Sequence, residues 1–443
     1  MTYNNKLTNV AVLGAAGKMG SGIVLLTAIE MANLRIAGGK DPGEASLHAI
    51  DISPAALSGL MKYLRTQVLK SAEKMTVQLR KWYAANPNLI ENEEVINQYV
   101  NDVLSVVKPT TRMEAAYEAH VVFEAVSENP DLKVKLFSNI YQNNPNKPWF
   151  LTNTSSIPIG EINEKAGLNG NIIGLHFYNP PAVQKLMEII PPKDVNPELT
   201  DFANQLAKNL KKIIVLSNDV AGFIGNGFFM RDILFAVLET QKLAEKMPLT
   251  EAICTLDKIS RDYLIRPMGI FQLSDYVGVD VCLFIMSVMD KRLNETLQCQ
   301  LFEQFMEQGI KGGQFADGSQ KDGIFRYEKG RITDVYDLGS KKYIDIEAVA
   351  EKVDTFLGTM PASWQPWKNA IKNRSREGML QQYFNELKQM ETPGAELAKA
   401  YARKANEIGQ QLVADGVAHK TEDVNTVMMT GFFHAYGPVN DYL

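Results

Sequence analysis

The chain has 443 residues, of which 45% are hydrophobic and 22% charged, and its formal net charge is -5. This length predicts more than one domain, and the composition is that of a globular protein. The acidic balance excludes the overall positive field that nucleic-acid binding uses, so nucleic acid is not expected as a partner.

The cysteines and the N-terminal residues indicate the cellular environment. Cys254, Cys282 and Cys299 are scattered without metal-ligand spacing, so no metal site is predicted, and so few cysteines suit a reducing compartment. Residues 1–9 are polar and lack the apolar core of a secretory signal. The apolar stretch 19–37 is interrupted by two charges, which favours a buried helix over a membrane span. We therefore expect a soluble, cytoplasmic protein that is not bound to a membrane.

The N-terminal region begins with a strand, a glycine-rich turn and a helix. Residues 10–13 are a short apolar run of the kind that forms a strand buried on both faces. The glycines that follow let the backbone approach a pyrophosphate at the positive end of the next helix. The spacing departs from the strict G-x-G-x-x-G fingerprint, which would place its first glycine at Ala15. In this context the turn still predicts a dinucleotide site, formed by Gly14, Gly17, Lys18, Met19 and Gly20.

Asp51 follows a second strand candidate, residues 47–50. A carboxylate at this position accepts hydrogen bonds from the adenosine ribose and repels a 2′-phosphate, so NAD is predicted rather than NADP. Asp51 lies further from the glycines than the usual ~20 residues, because residues 38–43 form an enlarged connection. The alternative is that Asp51 only supports a helix that starts at Ser53, where Pro54 suits the first helical position.

Further along the chain, predicted strands alternate with predicted helices. Residues 54–105 carry leucines at helical spacing with a break at residues 86–88, which predicts a helical hairpin beside the sheet. The remaining strand candidates are residues 121–123, 150–152, 172–175 and 186–190. This alternation predicts the α/β class, with a Rossmann-like doubly wound sheet.

From about Gly222 the sequence becomes mostly helical. The stretch 312–337 is glycine-rich and irregular, and it predicts a domain junction. We therefore predict a nucleotide-binding domain over residues 1–217, a helical domain over 218–338 and a second helical domain over 339–443.

The two helical domains contain a weak internal repeat. Its matching parts are residues 249–253, 268–269 and 275–276 in the first copy, and residues 420–424, 437–438 and 441–442 in the second. The alternative is chance similarity between helical segments.

His176 is one of only five histidines and stands at the end of an apolar strand. The next strand carries Glu188 among apolar residues, where a carboxylate is costly unless it is paired. If the two strands run antiparallel around residues 180–183, positions 176 and 188 are equidistant from 182 and face each other. The carboxylate would then fix the imidazole tautomer and raise its basicity. This arrangement predicts a catalytic pair, whereas a histidine that is only part of the core leaves the carboxylate unexplained.

Several motifs, in order along the chain, resemble the L-3-hydroxyacyl-CoA dehydrogenase family. They are EAVSEN at residues 124–129, NTSS at 153–156, GLHFYNP at 174–180, KLME at 185–188, AGFIGN at 221–226, and RPMG with a later DY at 266–276. The resemblance covers roughly residues 7–330. The spacings of His176 from Ser155, Glu188 and Asn226 all fit the family.

The resemblance implies an NAD-dependent oxidoreductase that interconverts L-3-hydroxyacyl-CoA and 3-ketoacyl-CoA. It assigns His176 as the general base for the 3-hydroxyl group, with Glu188 as its support. The other implied residues are Ser155 and Asn226 at the substrate oxygen, Ser155 and Asn179 for substrate binding, and Glu128 and Lys133 for cofactor binding. For Lys133 the alternative is an ordinary solvated surface lysine.

The resemblance also implies features of assembly. Family members place a helical hairpin against CoA, which residues 54–105 would do here, and larger fatty-acid oxidation chains repeat the helical domain. Single-copy relatives dimerise through that domain, so two copies in one chain imply either a monomer with an internal pseudo-dimer or a homodimer. No region resembles a hydratase, and a separate enoyl-CoA hydratase would then be a partner.

Two alternatives to this function stay open. A dehydrogenase with similar motifs could act on a hydroxy acid without CoA, such as a sugar acid or a carnitine-like compound. A binding protein without catalytic activity could also keep the fold. The helical hairpin favours CoA, and the intact set of Ser155, His176, Glu188 and Asn226 favours catalysis.

Overall fold

The computed structural model describes residues 1–315 and 318–443. They form two compact units, Met1–Asp219 and Val220–Leu443, which we call the sheet unit and the helical unit. The predicted boundary after residue 217 lies close to the observed one. The structure does not divide the helical part near residue 338 as predicted, because one hydrophobic core runs through it from Ala221 to Ala435.

The sheet unit alternates strands and helices. Its strands are β1 Asn9–Leu13, β2 Ser46–Ile50, β3 Val107–Thr110, β4 Val121–Glu124, β5 Trp149–Thr152, β6 Ile172–Phe177, β7 Leu186–Ile190 and β8 Ile213–Leu216. Its helices are α1 Tyr3–Lys6, α2 Lys18–Ala37, α3 Pro54–Lys74, α4 Thr76–Trp82, α5 Asn92–Val106, α6 Pro130–Asn143, α7 Ile159–Ala166 and α8 Pro197–Asn209, with short 3₁₀ turns at Pro42–Glu44 and Met113–Ala116.

The eight strands form one sheet in the order β3-β2-β1-β4-β5-β6-β7-β8. All neighbours are parallel except β6 and β7, which are antiparallel. The strand order reverses between β1 and β4, which is where ligands bind in doubly wound sheets. The predicted α/β fold is therefore confirmed. The sequence did not predict β3 and β8, because both are partly exposed and lack a long apolar run.

Two helical regions cover the sheet near its nucleotide end. Among the described residues, helix α2 and one bent helix pair are long and apolar enough to cross a membrane. In α2, 61% of the most apolar stretch is buried inside the protein, as in a core helix.

Helices α3 to α5 form the predicted hairpin. Helix α3 starts as predicted, since the Ser53 hydroxyl caps the Ala56 N–H at 3.2 Å and Pro54 follows the cap. Leu57, Leu60 and Leu64 give it one buried face.

The helical unit contains ten α-helices and a small sheet within its described residues. The helices are α9 Phe223–Ala244, α10 Leu249–Lys258, α11 Ile270–Val277, α12 Val279–Asp290, α13 Gln300–Glu307, α14 Ile346–Leu357, α15 Trp367–Ala370, α16 Arg376–Gln389, α17 Pro393–Ala414 and α18 Thr421–Gly431, with a π-helical turn at Ile259–Tyr263. The strands are β9 Phe325–Glu328, β10 Arg331–Asp337 and β11 Lys342–Asp345.

The small sheet is antiparallel, in the order β11-β10-β9, and lies where the sequence predicted an irregular junction. Residues 316 and 317 of that predicted stretch lie outside the described residues. Lys329 and Gly330 join β9 to β10 with φ angles of 51° and 77°, as in the two-residue turns that suit twisted hairpins. The strands were missed because their side chains are mostly half-exposed and carry many charges.

The second copy of the repeat reproduces a contact of the first. In the first copy, Asp257 Oδ1 accepts a hydrogen bond of 3.0 Å from the Phe271 N–H. In the second copy, Asn425 Oδ1 accepts one of 2.9 Å from the Val439 N–H. The two acceptors and the two donors are separated by the same number of positions, so the contacts are equivalent.

A glycine accompanies each of these contacts. A Cβ on Gly269 would meet the Asp257 carboxylate at 2.1 Å, and a Cβ on Gly437 would meet the Asn425 side chain at 2.2 Å. The long helices that precede the two contacts, α9 and α17, pack against each other. These equivalent features support the predicted repeat.

Candidate active site

His176 and Glu188 face each other across the one antiparallel pairing of the large sheet. Their side chains are joined by a hydrogen bond of 2.8 Å between Nδ1 and Oε2, and their exposed fractions are 7% and 0%. The register that the sequence predicted is therefore present. In the neutral imidazole the proton on Nδ1 donates to the carboxylate, which leaves Nε2 as the basic nitrogen.

The end of β6 that carries His176 is fixed on two sides. Asn153 Oδ1 accepts a hydrogen bond of 2.8 Å from the Phe177 N–H. Beyond it, half-buried Asn179 precedes a cis peptide bond to Pro180. Residues 178–184 lie in the turn between β6 and β7, where the Val183 N–H donates to the Pro180 carbonyl oxygen at 3.0 Å, and the substrate role of Asn179 stays a prediction.

Lys212 holds the same turn from behind. Its Nζ donates to the carbonyl oxygens of Pro181 at 2.5 Å and Gln184 at 2.6 Å. Burial lowers the pKa of Lys212 to about 8. This contact could not be predicted, because Lys212 lies far along the chain from the turn and precedes a short, partly exposed strand.

The glycine-rich turn lies at the point where the strand order reverses. Gly14 has a φ of 72°, and a Cβ there would lie 2.6 Å from the Ala125 carbonyl oxygen. A Cβ on Gly20 would lie 2.0 Å from the Gly14 oxygen. Gly17 is the N-cap of α2 and has no side chain to fill the place in front of the helix. Lys18 and Met19 form the first turn of α2 behind it.

Asp51 supports the backbone around this turn. Its Oδ2 accepts a hydrogen bond of 3.0 Å from the Ala16 N–H, and its Oδ1 accepts one of 3.2 Å from the Ser53 N–H. The alternative role as a support for the helix start is thus present. Binding of the adenosine ribose by Asp51 stays a prediction. The half-buried carboxylate lies at the end of the strand, which is the position that this role requires.

Lys133 is buried, so the alternative that it is an ordinary solvated surface lysine is wrong. It is 1% exposed, and its Nζ lies 2.7 Å from Glu124 Oε1 and 3.1 Å from Glu128 Oε2. Thr152 donates to Glu124 at 2.6 Å, and Thr154 donates to Glu128 at 2.5 Å. We call these five residues the lysine cluster. Burial lowers the pKa of Lys133, but the two carboxylates outweigh it and raise the pKa, so the ammonium stays charged.

Glu128 connects the lysine cluster to Ser155. Its Oε1 accepts a hydrogen bond of 2.9 Å from the Ser155 N–H, and the Ser155 hydroxyl lies 3.5 Å away. Burial opposes ionisation of Glu128, yet Lys133 and these donors hold its pKa below the usual range. The structure therefore brings together Glu128 of the loop after β4, Lys133 of α6 and Ser155 of the loop after β5.

Asn226 belongs to the helical unit, where it is half-buried in the first turn of α9. Its role at the substrate oxygen stays a prediction.

Two residues of the site were not predicted from the sequence, Glu124 and Tyr178. Glu124 ends an apolar strand, which is the same signal that identified Glu188. Tyr178 follows His176 by two positions, so it leaves the strand on the same side.

A buried His–Glu pair and a glycine-rich turn at the reversal point of the same doubly wound sheet are typical of a dinucleotide-dependent oxidoreductase. Residues 9–220 match the family model described as 3-hydroxyacyl-CoA dehydrogenase, NAD binding domain, and residues 222–321 match the C-terminal domain of the same family. The chain belongs to the 3-hydroxyacyl-CoA dehydrogenase family, and it is an NAD-dependent oxidoreductase of that family.

Individual relatives extend this result. A probable 3-hydroxybutyryl-CoA dehydrogenase of Bacillus subtilis is 29% identical over 68% of this chain and 93% of its own length. The fatty acid oxidation complex subunit alpha of Shewanella oneidensis is 27% identical over 78% of this chain and 44% of its own length. The crystal structure of 3-hydroxybutyryl-CoA dehydrogenase from Escherichia coli K12 has a TM-score of 0.62 and 20% identity, and covers 98% of this chain and 90% of that one. Its coverage shows that the fold of residues 220–443 also occurs elsewhere.

Proposed function

We propose that this enzyme interconverts L-3-hydroxyacyl-CoA and 3-ketoacyl-CoA, with His176 as the group that moves the proton. The observation that carries the proposal is the buried 2.8 Å hydrogen bond from His176 Nδ1 to Glu188. It fixes the tautomer and directs the basic nitrogen, Nε2, away from the carboxylate.

In the oxidative direction, His176 Nε2 accepts the proton of the substrate 3-hydroxyl group. The Glu188 carboxylate stabilises the imidazolium that forms, because the two groups are in contact in a buried site. In the reductive direction, the imidazolium gives the proton back to the oxygen that becomes the hydroxyl. Ser155 hydrogen-bonds that oxygen and orients it.

The residues around the glycine-rich turn fit the NAD of the family. The close approach at Gly14 and Gly20 and the absence of a side chain at Gly17 leave room for a pyrophosphate in front of α2. Asp51 would hold the adenosine ribose, and Glu128 and Lys133 would line the rest of the site. When bound, NAD supplies the acceptor for the hydride that leaves the substrate C3.

The helical hairpin supports a CoA ester over a free acid. Helix α3 exposes four basic side chains, Lys62, Arg65, Lys70 and Lys74, which suit the phosphates of CoA. The larger relatives are named as subunits of fatty acid oxidation complexes, and this chain matches less than half of their length. Because those relatives are named as subunits of a complex, we propose an enoyl-CoA hydratase as the partner that performs the preceding hydration, and we keep the cytoplasm as the expected location.

The test follows NADH oxidation with acetoacetyl-CoA as the ketone. The wild-type protein is expected to turn over, and His176→Gln to lose about 10²- to 10⁴-fold in kcat, since a general acid–base contributes that much. The matched control is His419→Gln, because His419 is exposed and lies in the helical unit.

Each other outcome assigns a different function. Turnover of free acetoacetate or of a keto sugar acid, but not of the CoA ester, would replace the substrate class. NADH binding without turnover of any ketone would point to a catalytically silent protein. Equal activity in His176→Gln would remove His176 as the proton-transferring group.

A further inference from the structure

One oxygen of the Glu188 carboxylate accepts hydrogen bonds from two side chains, His176 and Tyr178. The Tyr178 hydroxyl donates to Glu188 Oε2 at 3.0 Å, beside the 2.8 Å bond from His176 Nδ1. The rings of His176 and Tyr178 are also in contact, with centroids 4.8 Å apart and planes inclined by 39°. Histidine, glutamate and tyrosine thus form one compact group at the end of β6, which we call the histidine cluster.

Tyr178 can act only as a neutral donor in this position. Burial, together with the negative charge of Glu188, holds the pKa of Tyr178 well above its usual value, so the hydroxyl keeps its proton. A hydroxyl that donates to a carboxylate oxygen draws negative charge from it. Two donors on one oxygen therefore weaken each other, and the carboxylate supports the imidazolium less strongly than it would with His176 alone.

The strand and the helix next to the histidine cluster contribute an uncharged residue each. Across the sheet, β8 pairs with β7 through uncharged Val215 opposite Glu188. Helix α2 meets the turn with Gly22 against Pro181. Behind the turn lies Lys212, whose ammonium is 5.6 Å from the Phe177 ring centroid and donates to main-chain carbonyl groups.

We propose that Tyr178 is a positioning residue, whose hydroxyl fixes the orientation of the Glu188 carboxylate and limits the basicity of His176. The proposal deepens the proposed function and rests on it for the reaction step. A weaker base at Nε2 is a stronger acid once protonated. Tyr178 therefore favours the return of the proton to the oxygen of a 3-ketone, at the expense of its removal from a 3-hydroxyl group.

The experiment removes the hydroxyl and keeps the ring. In Tyr178→Phe the His176 side chain is titrated by NMR on the full chain with ¹⁵N-labelled histidine; only five histidines are present, and His176→Gln assigns the signal. The titration midpoint is expected to move to higher pH by about 0.5 to 1. The pH profile of kcat/KM with a 3-hydroxyacyl-CoA should move by the same amount, while KM stays within about two-fold.

Two controls connect the effect to Glu188. Tyr141→Phe removes another hydroxyl of the sheet unit, which accepts a hydrogen bond from Asn171 at the other end of β6. This variant should leave the titration midpoint of His176 unchanged. In the Glu188→Gln background, Tyr178→Phe should no longer move the midpoint, because the shared charged acceptor is gone. If Tyr178→Phe does not fold, 3-fluorotyrosine at position 178 is a stronger donor, and the midpoint must then move to lower pH.

The outcomes separate this inference from the proposed function. An unchanged or lowered midpoint in folded Tyr178→Phe, or an equal movement in the Glu188→Gln background, overturns the role of Tyr178, even if acetoacetyl-CoA is turned over. An increase that depends on Glu188 supports the role of Tyr178 in the cluster. If that increase occurs without turnover of any hydroxyacyl-CoA, the proposed function fails and the contact stands.

Discussion

Two carboxylate sites, one in each unit, are held by different kinds of partner. In the sheet unit, Glu124 and Glu128 face the ammonium of Lys133. In the helical unit, Asp275 is completely buried and is held by the N–H groups of Ile324 and Phe325, at 2.7 and 2.8 Å, and by the Tyr327 hydroxyl at 2.9 Å. The first arrangement balances charge, whereas the second only satisfies hydrogen bonds.

This difference in partners determines how the charge of each site depends on pH. The carboxylates raise the pKa of Lys133, so its ammonium stays charged across the neutral range. Burial outweighs the three donors at Asp275 and raises its pKa to about 7. A charge-balanced network therefore gives a scaffold that is insensitive to pH, and a carboxylate with neutral partners gives one that is sensitive to it.

The largest effect is expected from breaking the charge balance with Lys133→Met. Buried Glu124 and half-buried Glu128 would lose their cation, which should lower the free energy of unfolding of the sheet unit by about 3 to 5 kcal/mol. Urea unfolding with hydrogen exchange of peptides from β4 and α6 measures it. Lys135→Met on the same helix is exposed and should cost less than about 0.5 kcal/mol. A similar loss in both variants would mean that the cluster is not the source.

The helical unit should lose stability as the pH rises. The native pKa of Asp275, about 7, exceeds the unfolded value of about 3.9, so its contribution is complete below about pH 4 and is lost as the pH rises through about 7. We expect a decrease of about 2 to 4 kcal/mol between about pH 5 and pH 8. The urea midpoint of Asp275→Asn should change less over this range, and an equal slope would assign the effect to another group.

Glu188→Gln tests the carboxylate that is hydrogen-bonded to His176. The variant keeps the size of the side chain and removes the charge beside His176. We expect kcat to fall about 100-fold, which corresponds to about 2.7 kcal/mol, with a smaller stability loss than in Lys133→Met. Glu164→Gln on the exposed face of α7 is the control and should leave kcat unchanged. Unchanged kcat in Glu188→Gln would leave the pair a structural role only.

The smallest effect is expected in the second copy of the repeat. Asn425 makes two bonds to the backbone of Val439, a donor bond of 2.8 Å and an acceptor bond of 2.9 Å. Asn425→Ala should cost about 1 to 2 kcal/mol and release the residues around Val439. Hydrogen exchange of the last peptide checks this. Protection as strong as in the wild type would show that the contact is not needed there.

The sequence predicted those parts of the site that depend on local spacing. His176 and Glu188 could be paired because the turn between them sets the register of two neighbouring strands. The whole lysine cluster could not be predicted, since Thr152 and Thr154 meet Glu124 and Glu128 only when β4 and β5 are known to be adjacent. Tyr178 was missed because its hydroxyl matters only once the position of Glu188 is fixed.

The fold was predictable to a similar degree. Apolar runs and a glycine turn indicated the parallel sheet, because strands buried on both faces have little alternation. The small sheet of β9 to β11 has no such run, and its turn at Lys329 and Gly330 lacks the usual asparagine. The single core of the helical unit could not be predicted, because repeats in sequence do not say whether the copies pack together.

The packing of α9 against α17 has a consequence for how the helical unit is assembled. Both helices belong to one polypeptide, joined by residues 245–392, so their meeting is a first-order event. Dilution lowers the occupancy of an interface between separate subunits, but it leaves a tethered contact unchanged. The two copies of the repeat therefore hold together equally well at the lowest and the highest concentrations of the protein.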